Sequence, residues 1–392
     1  MKRIWISVLI LGFFSIVSTT NAQDEVLDGN SFLNPIVTGV PSLTIAPDAR
    51  GGGMGDIGVA TSPDVNSQYW NPAKYAFMKS NSGVSLSYTP WLRKLVNDIN
   101  LSYLSGYYKF GAGDMQAVSA SLRYFSLGSI DITDEGGIPL YSIAPYEMAV
   151  DLGYSRKLSE NFSGSVVMRM IYSDMQVQEL SAGTAFAADI AGFYTRPITL
   201  DNGIESTLSL GFNASNIGTK INYADGTSNF LPTNLRIGGS YTYPFDSYNA
   251  VSFNLDLNKL MVPTTPIQKT GEDPDVFKKR LDDYNNMSPI KGIFTSFSDA
   301  PNGMKEELQE ISWSAGAEYN YNNQFFARGG YFYEHPNKGN RKYYSMGAGF
   351  KMNVFRLDVS YLISTAQSNP LDQTLRFSLS FDLDGLRSLT AR

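Results

Sequence analysis

Residues 48–73, DARGGGMGDIGVATSPDVNSQYWNPA, place glycine at 53, 55 and 58, the G-x-G-x-x-G spacing that cradles a dinucleotide pyrophosphate in other settings. That chemistry requires an apolar strand before the glycines, a βαβ unit around them and an acidic ribose ligand about twenty residues on. Here no such strand precedes, and the downstream position holds Lys79 or Ser80. A nucleotide site is excluded on context, and the glycines instead imply close backbone packing or positive φ. His335 is the only histidine and stands beside Pro336 in an expected external loop, so a Ser/His/Asp triad or a multi-histidine metal site would have to be built around a lone loop residue, and it reads as a solvated loop histidine. Residues 271–275, GEDPD, lack the twelve-residue calcium-loop pattern, and DVFKKRLDDY at 275–284 reads as a short amphipathic helix with paired surface charges. The sequence therefore offers no catalytic residue, no cofactor site and no metal site, which argues against an enzyme.

The chain opens with Lys2 and Arg3, an apolar run from Ile4 to Val17 and a small, polar exit ending at Ala22. This is the pattern of a secretory signal peptide over 1–22, too short for a membrane-spanning helix. Cysteine is absent, which excludes disulfides and a lipoprotein anchor. Beyond the leader, 29 basic residues face 37 acidic ones, a net charge of −8 that makes nucleic acid an unsuitable partner. The 24 Tyr, 23 Phe and 35 Gly point to a β protein.

Period-two alternation organises the remainder. Leu375, Phe377, Leu379, Phe381 and Leu383 share one face, while Arg376, Ser378, Ser380 and Asp382 share the other; Val251 to Asn258 and Phe355 to Tyr361 repeat the pattern. Strands are expected near 83–91, 98–109, 114–126, 146–157, 162–172, 184–196, 203–215, 233–245, 248–259, 311–321, 324–334, 341–353, 355–364 and 373–384. That is an even fourteen, mostly of membrane-crossing length. Connections after even-numbered strands are short, such as GAGD at 111–114, LSEN at 158–161 and NN at 322–323, whereas those after odd-numbered strands are mostly longer, at 127–145, 173–183, 216–232 and, longest, 260–310. This asymmetry is that of an outer-membrane barrel with turns in the periplasm and loops outside. Aromatic residues near strand ends, among them Tyr88, Tyr107, Tyr108, Tyr343 and Tyr344, are expected to form interfacial girdles.

The fold class is thus all-β: a 14-stranded antiparallel transmembrane barrel over 81–384, with a C-terminal tail at 385–392. Fourteen strands enclose a lumen that must be filled. Residues 23–80, rich in Gly, Ala, Ser, Asp and Pro, are the expected plug or hatch, entering from the periplasmic side, with Gly53, Gly55 and Gly58 packing closely and Trp70, Asn71 and Pro72 turning the chain toward the first strand. The long loop 260–310 exposes Ile290, Ile293, Phe294 and Phe297 at a cost that burial against the barrel mouth or another protein would relieve, and these are its candidate partner- and cargo-binding residues.

The stretch ending in Asn71-Pro72-Ala73 resembles the N-terminal hatch of FadL-like outer-membrane barrels. With Trp70 before that motif and NPLDQTLRFSLSFDL at 369–383, the chain is similar over essentially its mature length to the PorV (LptO) family of the Bacteroidetes type IX secretion system. The resemblance implies a carrier in the lipid of the outer membrane without chemistry or cofactor of its own. It would associate with the SprA/Sov translocon barrel, bind the C-terminal signal domain of cargo and deliver it to the attachment complex containing the PorU sortase. The alternative it implies is a FadL-like transporter of hydrophobic small molecules. The tail DGLRSLTAR departs from the aromatic end of many outer-membrane barrels.

Overall fold

The computed structural model describes residues 34–390 apart from 94–95, 97, 135, 137, 177–181, 201–202, 224–227, 269–270 and 366–371. The expected leader, residues 23–33 and the first residues of the 369–383 stretch lie outside the described residues.

Fourteen long strands form the wall: β1 Ser82–Pro90, β2 Asn100–Phe110, β3 Gln116–Ser126, β4 Tyr146–Lys157, β5 Phe162–Asp174, β6 Gly183–Thr199, β7 Glu205–Gly218, β8 Asn234–Pro244, β9 Asn249–Leu260, β10 Ile311–Tyr321, β11 Phe325–Tyr333, β12 Lys342–Met352, β13 Phe355–Ser364 and β14 Leu375–Asp382. Each pairs antiparallel with its neighbours in sequence, and β1 pairs with β14 from Gly83↔Asp382 to Tyr88↔Phe377, which closes the ring. Closure leaves no unpaired edge, so every strand's backbone groups are satisfied inside a bilayer.

The alternating pattern sets the faces. On β1, Val84, Leu86 and Tyr88 are exposed on the outer wall while Ser85, Ser87 and Thr89 are buried inward; β14 repeats this with Phe377 and Leu379 outside and Arg376 and Ser378 inside. Apolar residues thus face lipid and polar ones face the lumen, the reverse of a soluble core. Period two also forbids two adjacent aromatics from both facing lipid. Tyr108 and Tyr344 are exposed, but Tyr107 and Tyr343, expected in the girdles, point inward: Tyr107 stacks on Tyr75 at 5.0 Å and Tyr343 on Phe332 at 4.9 Å.

The tight turns lie at one end, where Asn322, Asn323 and Asn353 take the positive φ that two-residue hairpins require. Loops gather at the other end. One carries a small hairpin of Ile130–Thr133 and Pro139–Ile143, and another carries Ile221–Asn222 and Ser228–Asn229. The sequence-expected last strand to 384 stops at Asp382, because Leu383–Thr390 turns helical. Asp384 there accepts from the Asn81 amide and the Ser82 hydroxyl, tying the chain end to the start of β1.

Residues 34–80 run inside the ring. Asn34 donates its amide to the Asn337 carbonyl and Gly39 to the Phe230 carbonyl, both in loops, whereas Lys109 beside the β2–β3 turn donates to the Met78 carbonyl. The described segment therefore descends from the loop end to the turn end. Asn34 thus stands at the loop-end mouth, while the segment joins β1 at the turn end.

Candidate functional site: the lumen and the outer rim

The glycine-rich stretch forms a four-residue turn, α1 Ala49–Gly52, whose N-cap Asp48 accepts from the Gly51 amide at 2.9 Å. Its glycines meet backbone. A Cβ on Gly53 would stand 3.0 Å from the Gly347 Cα of β12, and one on Gly330 of β11 would fall 2.0 Å from the Met54 carbonyl carbon. Gly55 takes φ +83° against the Tyr331 carbonyl, and a Cβ on Gly58 would lie 2.2 Å from the Trp70 ring. Segment and wall thus approach to glycine-on-glycine distance, which is the work the G-x-G-x-x-G spacing does here.

Trp70 ends a second short turn, α2 Ser67–Trp70, fully buried with its Nε1 donating to Asp48 Oδ1 at 2.5 Å. Asn71 Nδ2 bridges the Val59 and Gly192 carbonyls, both at 2.9 Å, while its Oδ1 accepts from Ala73 N. Pro72 then starts the 3-10 turn Pro72–Phe77 that leads to β1. All six of Gly53, Gly55, Gly58, Trp70, Asn71 and Pro72 lie buried within the ring, and Gly58, Trp70 and Asn71 come together in one cluster.

Inward polar side chains hold the segment in place. Asp256 accepts from the Gly58 and Val59 amides at 2.9 and 3.1 Å, Ser345 from Gly55 N at 2.7 Å, and Ser378 from Ala49 N at 2.9 Å. Buried ion pairs reinforce these contacts: Arg50 binds Glu318 through both Nε and Nη2 and Asp64 at 2.6 Å, while Asp56 pairs with Arg376 at 2.5 Å. Glu318 also takes Arg328 at 2.6 Å, and Arg328 continues to Asp358 at 2.9 Å. Burial works to raise the Asp64 carboxyl, but Arg50 and then Lys74 outweigh it and hold the group below its usual range. Among the described residues Lys74 has no carboxylate within ion-pair distance; its ammonium donates to the Gly58 carbonyl and the Thr61 hydroxyl, and burial pushes it down to about 8. Sequence reasoning found the faces that carry these charges but not their pairing, because alternation assigns a side chain to the lumen without naming its partner.

At the loop end the lumen opens into a cavity of about 280 Å³ lined by both segment and wall, from Ile36, Leu43 and Tyr69 to Arg123, Arg236 and Arg341. Its rim is an ionic clamp. Lys338 pairs with Glu306 at 2.6 Å and Glu310 at 3.1 Å, Lys259 with Glu310 at 2.6 Å, and Asn34 donates to Glu306 at 3.2 Å.

Above the rim, the described residues of 261–310 form three helices, α3 Pro274–Asn285, α4 Pro289–Thr295 and α5 Met304–Gln309. The helix expected from DVFKKRLDDY is α3. In GEDPD, Asp273 caps it and Glu272 pairs with Arg280 at 2.6 Å. His335 caps its own turn by accepting from Asn337 N at 3.2 Å. Among the described residues no three His, Asp or Glu side chains converge on a metal-sized site. On α4, Gly292 packs toward Phe230 and Pro263, Ile293 is half-buried, and Ile290 and Phe294 remain exposed, Phe294 at 75 %; Phe297, just past the helix end, is exposed too.

A closed fourteen-stranded barrel with a lipid-facing apolar surface and an occupied polar lumen defines an outer-membrane β-barrel protein. The sequence profile of the type IX secretion system protein PorV matches residues 29–267, more than half of the chain, and the chain belongs to the PorV family. It is accordingly an outer-membrane component of type IX secretion. The Pseudomonas putida toluene transporter TodX is similar in fold, with a TM-score of 0.50 at 12 % identity over 84 % of this chain and 96 % of that one. A FadL homologue from Pseudomonas aeruginosa aligns with a TM-score of 0.43 at 11 % identity, over 89 % and 99 % of the two chains. No curated protein matches.

Proposed function

We propose that this barrel is a non-enzymatic carrier that binds the C-terminal signal domain of cargo at a SprA/Sov-type translocon and passes it to a PorU-type sortase complex. In this reading residues 34–80 are a plug, held by Arg50, Asp56 and the glycine contacts, and loop 261–310 is the docking face. One observation carries it: the lumen is occupied, while the longest loop is folded into helices that leave Phe294 and Ile290 in the open. Large apolar side chains presented on an ordered scaffold above a membrane suit a protein partner, because their burial in an interface recovers about 25 cal/mol per Å².

Deletion of 285–300 is expected to leave a folded, heat-modifiable barrel that fails to release or attach cargo. Cargo displayed normally on the surface of cells carrying this deletion would remove the loop from the mechanism. A FadL-like transporter of hydrophobic molecules is the second reading, and the TodX fold fits it. It calls for a bound amphiphile in gently extracted protein, whereas Asn, Ser, Asp and Arg side chains line much of the cavity.

A further inference from the structure

Five of the cations facing the cavity can be sorted by whether an acid pairs with them. Arg169 is gripped by Asp151 at 2.6 Å and Asp189 at 3.0 Å, Arg341 by Glu334 at 2.7 Å, and Lys338 by Glu306 and Glu310. Arg123 and Arg236 differ. Arg123, 5 % exposed on β3, spends Nη2 on the Ser42 and Ile45 carbonyls, and its Nε–H is buried with no partner. Arg236 on β8 gives Nε to Asn258 at 2.7 Å and lies over the Trp70 ring at 4.8 Å. Both guanidiniums face one ring, Tyr69, at 5.6 and 5.2 Å from its centroid. Among the described residues no carboxylate is within ion-pair distance of either.

Two desolvated guanidiniums in one small cavity, neither in contact with a carboxylate and one with a buried Nε–H unpaired, leave hydrogen-bonding capacity that an oxyanion would fill. We propose that this cavity is a carboxylate-binding site that receives the acidic end of an extended chain entering from the outer mouth. Asp56, Asp151, Glu310 and Glu334 also line it, so a dianion such as a phosphate monoester would meet repulsion that a monoanion largely escapes. The planar forks of Arg123 and Arg236 suit the carboxylate geometry. Ile36, Pro41, Leu43 and Ala46 on one side face Asn216 and Asn234 on the other, a lining with both apolar area for a stem and amides for a backbone. The volume equals that of about nine waters, enough for the last few atoms of a chain and not for a folded unit.

The chemistry is shared by a polypeptide's α-carboxylate and by a free aliphatic acid, and the experiment separates them. Calorimetric titration of the full-length detergent-solubilised barrel uses three probes: acetyl-Ala-Ala-Ala-Val acid, the same peptide as its C-terminal amide, and decanoate. The acid peptide is expected to bind at least ten-fold tighter than the amide, and Arg236→Gln to weaken it by at least ten-fold. If decanoate binds tighter than the peptide with the same Arg236 dependence, the carboxylate site stands and its source is a free acid. The comparison of acid with amide is made on the unaltered protein, so it does not depend on a variant's folding; Arg123→Lys serves as a second variant that retains a donor to the Ser42 carbonyl. Equal binding of acid and amide, no binding of either acid at millimolar concentration, or an unchanged Arg236→Gln would overturn the proposal. The carrier reading is tested separately, by surface display in the 285–300 deletion, and either can fail without the other.

Discussion

Replacing Arg50 by Met tests whether ionic contacts or shape keep the N-terminal segment inside the ring. The side chain makes five hydrogen bonds: two to Glu318 at 2.9 and 3.1 Å, one to Asp64 at 2.6 Å, and two to Ser62 at 2.9 and 2.6 Å. Met fills most of the volume, so the loss is electrostatic. Glu318 retains Arg328, but Asp64 is left as a carboxylate inside the ring without an ion-pair partner among the described residues, acted on only at longer range by Lys74 and Arg356. Breaking a buried pair by removing one partner costs about 3–5 kcal/mol, which raises the equilibrium for segment release by roughly two to four decades. The ring itself keeps its closing β1–β14 ladder, so release and barrel unfolding should separate. Limited proteolysis of solubilised protein reads the first, as cleavage within 34–80, and heat-modifiability on gels reads the second. The variant should be cut at least a hundred-fold faster while the barrel remains heat-modifiable. Equal cleavage rates would refute the view that the Arg50 cluster anchors the segment.

Gly58→Ala places a methyl 2.2 Å from the Trp70 ring, and overpacking of this kind costs about 1–3 kcal/mol, so accelerated cleavage of the segment and a red shift in Trp70 emission are expected, whereas an unchanged protein would deny the close packing. Gly53→Val should impair folding or seating in the same way, judged by the yield of heat-modifiable barrel, and should leave no nucleotide affinity to lose. Lys74 makes the anchoring pH-dependent. Its pKa of about 8 in the folded protein lies below the 10.5 of an unfolded lysine, so below pH 8 both states are charged and the full cost is present, roughly 3 kcal/mol. Between about 8 and 10.5 the folded state binds fewer protons, so stability rises with pH; urea unfolding at pH 7.5 and 9.5 should show this gain in the native protein and lose it in Lys74→Met. Lys338→Ala severs Glu306 and Glu310 from the loop between β11 and β12, and faster amide exchange across α5 is the expected sign that the rim has loosened.

Strand number, face and loop parity were legible because each depends on local chemistry. A residue such as Ser378 or Leu379 declares its side of the wall through its immediate neighbours, and turns such as Asn322-Asn323 declare themselves through residues that tolerate positive φ. What the sequence withheld was long-range. Arg50 meets Glu318 and Asp56 meets Arg376 across hundreds of residues, and nothing near Arg376 in LRFSLSFDL names its partner. The inward turn of Tyr107 and Tyr343 was recoverable, since adjacency to the lipid-facing Tyr108 and Tyr344 already fixes it. The direction of residues 34–80 was not, because a segment without periodicity carries no sign of which mouth it starts from. The carboxylate cavity was equally hidden: Arg123 and Arg236 look like any other polar-face residues until their lack of an acid is seen.

The enclosure of residues 34–80 constrains the order of assembly. These residues precede β1 in the chain yet end inside a ring whose last seam joins Gly83 to Asp382, 299 residues apart. Among the strand pairs that seam spans the longest stretch of chain and carries the largest loop-closure entropy cost. Asp256 and Ser345, on β9 and β12, must find the segment's amides at Gly58 and Gly55, and Ser378 on β14 must find Ala49. The segment can then serve as a mandrel: an incomplete sheet curls around it strand by strand, and the inward polar residues that would be costly against lipid acquire their partners before the final zipper shuts. A chain lacking the segment would have to close around water instead, with Glu318, Asp256 and Arg376 all short of a partner at the step where the barrel is most exposed to misassembly.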